Sequence, residues 1–195
     1  GYFTESDTTG DIHKFSTGIA AAAERLGVQT RYGHAIQSVK SDGKSVTITA
    51  HDGDHTHTSV FDGVVVCAGT ASRDIAAQLG DRVNIYPVKG YSITVNLDDA
   101  HSQASAPMVS LLDDETKLVS SRLGRGRFRV TGTAEFNGFN RDIRADRIRP
   151  LVEWVQQCFP GVRTESVVLW AGLRPMMPNL MPRVGPGKRP GVFYN

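Results

Sequence analysis

The chain has 195 residues, enough for one large or two small domains, and 39% of them are hydrophobic, which suffices for a packed core. Its formal net charge of +2 indicates neither a nucleic-acid-binding protein nor an acidic tail. No apolar run approaches the roughly 18 residues of a membrane span, so we expect no transmembrane segment.

The first 61 residues predict a helix followed by a β-meander. Apolar residues recur every three or four positions over Lys14–Leu26, with Asp11 as a candidate N-cap and Gly27 as the terminator. Residues 34–61 alternate in polarity around two Asp-Gly turns, which is typical of three antiparallel strands with one solvated face. A further short strand is predicted over Val28–Tyr32.

The pattern then changes to a continuously apolar run over residues 61–70. Such a run predicts a strand buried on both faces, as in a central parallel sheet. Cys67 would there be an inert thiol, and with Cys158 far away in sequence we expect two reduced cysteines. The run ends in small residues, and ligands bind at such turns in open α/β sheets. Ser72–Leu79 predicts a short helix ended by Gly80.

The second half of the chain predicts an antiparallel sheet and one more helix. A turn at Pro87–Tyr91, in which Lys89 is expected to be a surface cation, leads into a strand at 92–97. Residues 98–107 are predicted as a polar loop. The remaining strands are predicted at 108–112, 117–122, 127–136, 167–170 and near the end of the chain. Apolar spacing over Ile143–Cys158 indicates a second amphipathic helix, which Pro160-Gly161 stops.

These elements predict an α+β fold with an α/β nucleotide-binding portion and a mixed, mainly antiparallel substrate domain with flanking helices. We expect a partial nucleotide-binding domain over residues 1–80, including the meander. The substrate domain is predicted over 81–182, and residues 183–195 return toward the first domain. A chain that leaves one domain and returns to it places a site at the domain interface.

One run puts a single positive charge among apolar residues and prolines. Trp170–Pro178 contains Gly172 and Arg174, and further prolines follow. Prolines exclude a regular helix, so this run is predicted to be a stiff loop. Arginine presents a rigid fork of donors that suits a carboxylate or a phosphate. The alternative is a structural ion pair with an acidic neighbour.

The sequence gives little support for a metal site, a catalytic nucleophile or a pyrophosphate-binding loop. His55 and His57 point to one face of a polar strand, but no ligand spacing accompanies them, so we predict no metal site. There is no Gly-x-Ser-x-Gly elbow for a nucleophile. Gly-x-Gly-x-x-Gly does not occur, and Gly124-Arg125-Gly126 lies on a hairpin, so any pyrophosphate loop is absent from this chain.

In their order and spacing, five segments resemble the flavin-dependent D-amino-acid oxidase and dehydrogenase superfamily, with bacterial D-amino-acid dehydrogenases as the nearest likeness. The segments cover nearly the whole chain and are Gly10–Phe15, Val64–Gly69, Tyr86–Ser92, Arg129–Glu135, and Trp170–Pro175 with Pro182–Pro186. The resemblance implies FAD as the cofactor and oxidative deamination of small D-amino acids to 2-oxo acids and ammonia. It also implies hydride transfer from the substrate α-carbon to the flavin.

The resemblance assigns roles to individual residues. Arg174 would receive the substrate carboxylate. Tyr91 would be a wall or hydroxyl donor near the substrate, or alternatively an aromatic residue of the core. The expected cofactor-binding residues are Ala35 and Ile36 near the adenine; Cys67, Ala68 and Gly69 near the adenosine and pyrophosphate; and Gly172.

The chain also departs from the superfamily pattern. It lacks the glycine-rich first strand–turn–helix and the Gly-His-Gly turn near the flavin, and Asn179-Leu180-Met181 replaces a common Asp-Gly pair. We therefore expect a fragment of a longer protein, with two alternatives: a glycine or sarcosine oxidase-like fragment, or a domain that cannot hold FAD alone. A respiratory electron acceptor is an expected partner, and the expected location is the cytoplasm, including peripheral attachment to the inner membrane.

Overall fold

The fold was analysed in a computed structural model that describes residues 1–195. The chain forms two compact units. The first, called here the sheet unit, comprises Gly1–Val28 and Lys89–Leu173, and the second, called the meander unit, comprises Gln29–Val88 and Arg174–Asn195. The division predicted from the sequence, at residues 80 and 182, stays a prediction about domains.

Both units combine helices and strands, as the predicted α+β class requires. The helices are α1 (Ile12–Arg25), α2 (Ser72–Gln78), α3 (Ala100–Ser105) and α4 (Ala145–Cys158). The strands of the first half are β1 (Ala35–Ser41), β2 (Val46–His51), β3 (Thr56–Phe61), β4 (Val64–Val66) and β5 (Tyr86–Asn96). Those of the second half are β6 (Leu111–Asp113), β7 (Leu118–Arg122), β8 (Arg127–Glu135), β9 (Val167–Met176), β10 (Gly185–Pro186) and β11 (Val192–Tyr194).

The sheet unit is built on a five-stranded sheet in the order β6-β7-β8-β5-β9. Strand β8 alternates buried and half-buried residues, as expected when one face of a sheet packs on a core. Helix α4 supplies Leu151 and Val155 to the same apolar cluster as Phe128 and Ile93 of the sheet, all of them at most 1% exposed. Burial of this helix face against the sheet is the main stabilising term of the unit.

The meander unit contains the predicted antiparallel meander, with strand order β1-β2-β3. A second small sheet has the order β10-β11-β4, in which β11 and β4 run parallel. Helix α2 buries Ala76 in the core of this unit, together with Val66, Leu79 and Val192. The meander and α2 are thereby confirmed.

The helix signals near the N-terminus are also confirmed. The side chain of Asp11 accepts a hydrogen bond from the Lys14 backbone N–H at 3.3 Å, so it caps α1 as predicted. Gly27 follows the helix with φ +90°, a conformation that only glycine adopts readily.

Three local predictions were wrong. Val28–Tyr32 forms no strand, and the predicted polar loop at 98–107 contains α3, whose N-cap Asp99 accepts from the Ser102 N–H. The predicted turn at Pro87–Tyr91 lies inside β5, where a bulge between Lys89 and Tyr91 absorbs the irregularity. These stretches are too short for hydrophobic periodicity to distinguish helix, strand and loop. Tertiary packing therefore determines their conformation.

The apolar run over residues 61–70 also differs from its prediction. Only Val64–Val66 forms a strand, and β4 lies at the edge of a three-stranded sheet. Val65 is 59% exposed and Cys67, beyond the strand, is exposed as well. The expected burial of this strand on both faces is therefore wrong within this chain, because only one face is covered.

Candidate functional site

Arg174 lies on a strand rather than in the predicted loop. Strand β9 runs through Arg174 and Pro175 to Met176, and it forms one edge of the five-stranded sheet. An edge strand has backbone groups without a sheet partner, so a proline that lacks an N–H is tolerated there. Arg174 is therefore in regular strand conformation, and it is the residue at which the chain re-enters the meander unit.

The meander unit contains a pocket of about 560 Å³ that Arg174 and Gly69 both line. This size is typical of small-molecule sites. Most of its walls are apolar, and two arginines with a few polar groups complete them. The apolar lining residues include Val66, Val83, Ile85, Met176, Met177, Leu180 and Met181, and the polar ones are Ser72, Arg174, Arg183 and Asn195. Apolar walls lower the local dielectric and so strengthen the interaction of a guanidinium with an anion.

Tyr194 closes another part of this pocket and is held by a carboxylate. Its hydroxyl donates to Asp81 Oδ2 at 2.8 Å, and the guanidinium of Arg183 lies 5.6 Å from its ring centroid. Burial, together with the hydrogen bond and negative charge of Asp81, raises the pKa of Tyr194 above its ordinary range. Tyr194 is therefore a fixed hydrogen-bond donor in the wall rather than an acid in use near neutral pH.

The turn after β4 carries three of the predicted cofactor-binding residues, Cys67, Ala68 and Gly69. The Ala68 backbone N–H donates to Ser72 Oγ at 3.0 Å, which fixes the turn against the start of α2. Gly69 has φ +56°, and no atom lies within 4 Å of the position a Cβ would take. The glycine is thus required by the backbone and leaves open space at the carboxyl end of the strand.

Ala35 and Ile36, the other predicted cofactor-binding pair of the meander unit, begin β1. Both are exposed, and Ile36 is 49% accessible. A register shift between Ile36 and Ser38 marks a bulge at this end of the meander. Bulges re-aim side chains next to functional sites, so the position is compatible with the predicted role.

Gly172 lies on β9 in the sheet unit and makes room for an aromatic ring. A Cβ at this position would stand 2.1 Å from Cη2 of Trp170. The Trp170 ring in turn packs under the guanidinium of Arg129, 5.3 Å from the ring centroid. The structure thus gives Gly172 a packing role, and its predicted contact with a cofactor stays a prediction.

We expect Gly172→Ala to displace the Trp170 ring and to cost about 0.5–1 kcal/mol of stability, the size of an exposed cation–π contact. The measurement is denaturant unfolding together with tryptophan emission. Gly126→Ala is the matched control, because nothing lies within 4 Å of its added Cβ. Equal effects of the two substitutions would remove the packing explanation.

Tyr91 lies in the sheet unit within a buried charged cluster that the sequence did not predict. Its side chain is 0% exposed, and its hydroxyl donates to Glu135 Oε2 at 3.1 Å. Lys89, expected to be a surface cation, is likewise 0% exposed; its Nζ lies 3.6 Å from Glu135 Oε1 and donates to Asn140 Oδ1 at 2.8 Å. Of the two interpretations of Tyr91, the core aromatic is the one that this burial supports.

Opposing effects set the ionisation of this cluster. Burial opposes the charge on Glu135, but hydrogen bonds from Tyr91 and Asn137 and the positive charges of Lys89 and Arg144 outweigh it. Together they hold the pKa of Glu135 below its ordinary value. The polar contact with Tyr91 and then the charge of Glu135 raise the pKa of Lys89, against its desolvation. Both groups are therefore charged at neutral pH, as a satisfied buried pair requires.

The predicted site residues thus fall into two groups. Arg174 and Gly69 line one pocket, and Ala35, Ile36, Cys67 and Ala68 lie elsewhere in the same unit. Tyr91 and Gly172 belong to the sheet unit. Sequence reasoning missed Tyr194, Asp81 and the methionines of the pocket wall, because no motif marks residues that meet only through the return of the C-terminal segment.

The sequence profile of the FAD dependent oxidoreductase family, DAO, matches residues 1–195, and the chain belongs to this family.

Two relatives within this family show how similar the chain is to individual proteins. The chain is 60% identical over 195 residues to D-amino acid dehydrogenase 3 of Mesorhizobium japonicum, covering all of this chain and 47% of that protein. It is 38% identical over 200 residues to the D-amino acid dehydrogenase of Dechloromonas aromatica, of which it covers 46%. The chain therefore spans about half the length of these relatives, as the predicted fragment requires.

Solved structures show the same fold at low sequence identity. Glycine oxidase from Geobacillus kaustophilus has a TM-score of 0.79 at 20% identity, over 92% of this chain and 46% of its own. L-proline dehydrogenase from P. horikoshii has a TM-score of 0.75 at 14% identity, over 93% of this chain and 48% of its own. At these identities the likeness concerns the fold.

The longest helices have 14 residues, and no helix combines the length and apolarity needed to cross a membrane.

The residues present fit part of an FAD molecule, the cofactor of this family. A largely apolar pocket suits a flat ring system, and Arg174 and Arg183 supply positive charge at its wall. Gly69 leaves the space that a close backbone approach to a nucleotide needs. The glycine-rich strand–turn–helix that binds a pyrophosphate does not occur in the sequence, so these residues fit only a portion of the cofactor.

Proposed function

We propose that the intact protein containing this chain oxidises small D-amino acids to 2-oxo acids and ammonia. The observation that carries the proposal is the 60% identity, over the whole chain, with a D-amino acid dehydrogenase. The position of Arg174 in the wall of a largely apolar pocket supports it. Arg183 lines the same pocket but is engaged by the Pro186 carbonyl oxygen and the Tyr194 ring, so Arg174 is the arginine we assign to a ligand with one carboxylate.

In this proposal Arg174 binds the substrate carboxylate. Its guanidinium can form two parallel hydrogen bonds to the two carboxylate oxygens, which fixes the orientation of the α-carbon. Such orientation is the main contribution a protein makes when the cofactor carries the chemistry. The methionines and Leu180 of the pocket supply apolar walls beside this ion pair.

FAD, when bound, supplies the acceptor for the hydride that leaves the substrate α-carbon. The substrate loses that hydride and a proton from its amino group, which gives an imino acid, and water then hydrolyses the C=N bond to the 2-oxo acid and ammonia. Ala35 and Ile36 would lie by the adenine. Cys67, Ala68 and Gly69 would lie by the adenosine and pyrophosphate, and Gly172 would complete the cofactor-binding set. The alternative role of Tyr91, a wall or hydroxyl donor near the substrate, is tested by the kinetics of a Tyr91→Phe variant.

We further propose that a respiratory electron acceptor reoxidises the cofactor and that the protein works in the cytoplasm, attached peripherally to the inner membrane. The names of the relatives support a dehydrogenase rather than an oxidase. A dehydrogenase passes electrons to an acceptor other than oxygen, and a respiratory quinone lies in the membrane.

The experiment uses the intact protein purified without added FAD. We expect a yellow protein that reduces an artificial electron acceptor with D-alanine and gives pyruvate and ammonia. Faster reduction with glycine or sarcosine than with any D-amino acid would favour the glycine oxidase-like alternative. A colourless protein that is inert toward all these substrates would contradict the proposal.

The 195-residue chain by itself serves as the companion sample. Its purification with FAD, followed by flavin fluorescence, tests the alternative that this chain cannot hold FAD alone. We expect it to retain little FAD, because it has no pyrophosphate loop. Stoichiometric retention would show that the pocket and the Gly69 turn suffice for the cofactor.

A further inference from the structure

Two histidines and an aspartate meet at one end of the meander. They are His34, Asp52 and His57, and each offers one ligand atom such that all three atoms lie within 4.8 Å of one another. We propose that this cluster binds one divalent transition-metal ion of the Zn²⁺ type. The proposal is independent of the proposed oxidation of D-amino acids.

The pairing of the strands brings these residues together. Ala35 pairs with His51 across β1 and β2, so His34 and Asp52 leave the ladder at the same end. His51 also pairs with Thr56 of β3, which places His57 one residue inside that end. Three consecutive segments thus supply one ligand each, on a hydrogen-bonded sheet that limits their movement.

Backbone contacts orient two of the ligands before any metal binds. Nδ1 of His34 lies 2.9 Å from the Tyr32 carbonyl oxygen. When Nδ1–H donates to that oxygen, the Nε2 lone pair is left for a metal, which is the usual outer contact of a metal-bound histidine. Asp52 Oδ1 accepts from the His55 N–H at 3.1 Å, which fixes the carboxylate.

The other carboxylate oxygen of Asp52 meets the third ligand. Oδ2 lies 3.0 Å from Nε2 of His57, so a metal ion would take the place of the hydrogen that joins them. Binding therefore needs a small adjustment of two partly exposed side chains rather than a change of the backbone.

The donor set selects the class of ion. Two imidazole nitrogens and one carboxylate oxygen suit Zn²⁺, Cu²⁺, Ni²⁺ or Co²⁺, whereas Mg²⁺ and Ca²⁺ prefer all-oxygen sites. Three protein ligands leave a fourth tetrahedral position for water. The exposed ring of His55 lies 3.6 Å from Asp52 Oδ1, the carboxylate oxygen that faces away from His57, and it is not a member of the cluster.

The sequence predicted no metal site, since His55-Thr56-His57 has no accompanying ligand spacing. The proposal departs from this expectation because His34 and Asp52, which flank β1 and β2, lie beside His57. It also replaces His55 by His34 as the partner of His57.

The test is titration of the intact, tag-free, EDTA-treated protein with ZnCl₂ in a calorimeter, and with CoCl₂ followed by visible absorption. We expect His34→Gln and His57→Gln each to weaken Zn²⁺ binding at this site at least about tenfold, since loss of a ligand costs no less than loss of an outer contact. Both should also abolish the tetrahedral Co²⁺ bands. His51→Gln is the matched control, an exposed histidine next to Asp52 and outside the cluster, and it should bind like the unaltered protein.

Circular dichroism and unfolding in EDTA would show that the variants fold, which we expect because the two ligands are surface residues of the meander. Absence of saturable Zn²⁺ binding in the unaltered protein would overturn the proposal. So would equal weakening by His51→Gln, which would indicate adventitious binding to surface histidines. Undiminished binding by the His34→Gln variant would overturn it as well.

Discussion

Replacing Arg174 with methionine in the intact protein should lower kcat/KM for D-alanine by roughly 100-fold or more. A substrate that loses its carboxylate anchor no longer presents its α-carbon in the reactive position, and a misplacement of about 1 Å costs on that order in rate. Methionine keeps much of the length of the side chain and matches the methionines already in the pocket wall. The loss should therefore come from charge and hydrogen bonding rather than from an unfilled cavity.

Arg174→Lys separates charge from geometry. Lysine keeps the positive charge but not the planar fork, so we expect a kcat/KM between those of the unaltered protein and the methionine variant. Steady-state kinetics with several D-amino acids gives kcat/KM of each variant relative to the unaltered protein. The flavin absorbance per protein gives the cofactor content, which should stay unchanged in both variants.

Arg183→Met is the matched control for this pair. Arg183 lines the same pocket, but its guanidinium donates to the Pro186 carbonyl oxygen at 2.9 Å and packs over Tyr194. We expect it to affect stability more than substrate selection. If Arg183→Met lowered kcat/KM as much as Arg174→Met did, the carboxylate would not be assigned to Arg174. Unchanged kinetics in the Arg174 variants would remove this residue from the site.

Arg174 also illustrates how far the sequence alone could lead. The composition of its surroundings predicted an anchor for an anion, and the structure places it in an apolar pocket. The predicted loop was wrong, because proline was taken to end regular structure. An edge strand tolerates Pro175, and edge position is a property of the sheet order that no local pattern reveals.

Long periodic elements were predictable because local patterns do reveal them. The helices α1 and α4 and the three strands of the meander each repeat their pattern over several residues, and their ends carry local signals such as the Asp11 cap. Lys89 marks the limit of this approach. A lysine in a short mixed stretch was expected at the surface, yet Glu135 and Asn140, distant in sequence, satisfy it in the interior. Only the pairing of β5 with β8 brings Lys89 opposite Glu135.

The same cluster makes Tyr91→Phe the second substitution with a large expected effect. We expect it to lower the free energy of unfolding by about 1.5–3 kcal/mol, the usual contribution of a hydrogen bond to a charged group. The ring stays in the core with Ile93 and Val130, so the loss isolates the hydroxyl that donates to Glu135 at 3.1 Å. Urea unfolding of the two proteins at neutral pH measures it.

The loss of unfolding free energy in the Tyr91→Phe protein should depend on pH. A carboxyl whose folded pKa is lowered contributes stability that is present above its unfolded pKa and lost as pH falls through the folded pKa. The hydrogen bond from Tyr91 is one cause that lowers the pKa of Glu135, so the variant should have a less depressed pKa. The difference between the two proteins should therefore be full at neutral pH and shrink below the ordinary carboxyl pKa of about 4.

Tyr32→Phe is the control for this substitution, since Tyr32 is 73% exposed and should change stability by less than about 0.5 kcal/mol. Kinetics of the Tyr91→Phe protein, measured well below its unfolding temperature, decide between its two interpretations. A core residue should leave kcat/KM for D-amino acids nearly unchanged, because residues of this chain already enclose Tyr91 completely. A large fall in kcat/KM with unchanged stability would instead place its hydroxyl at the substrate, and the buried cluster would then have a role in the reaction.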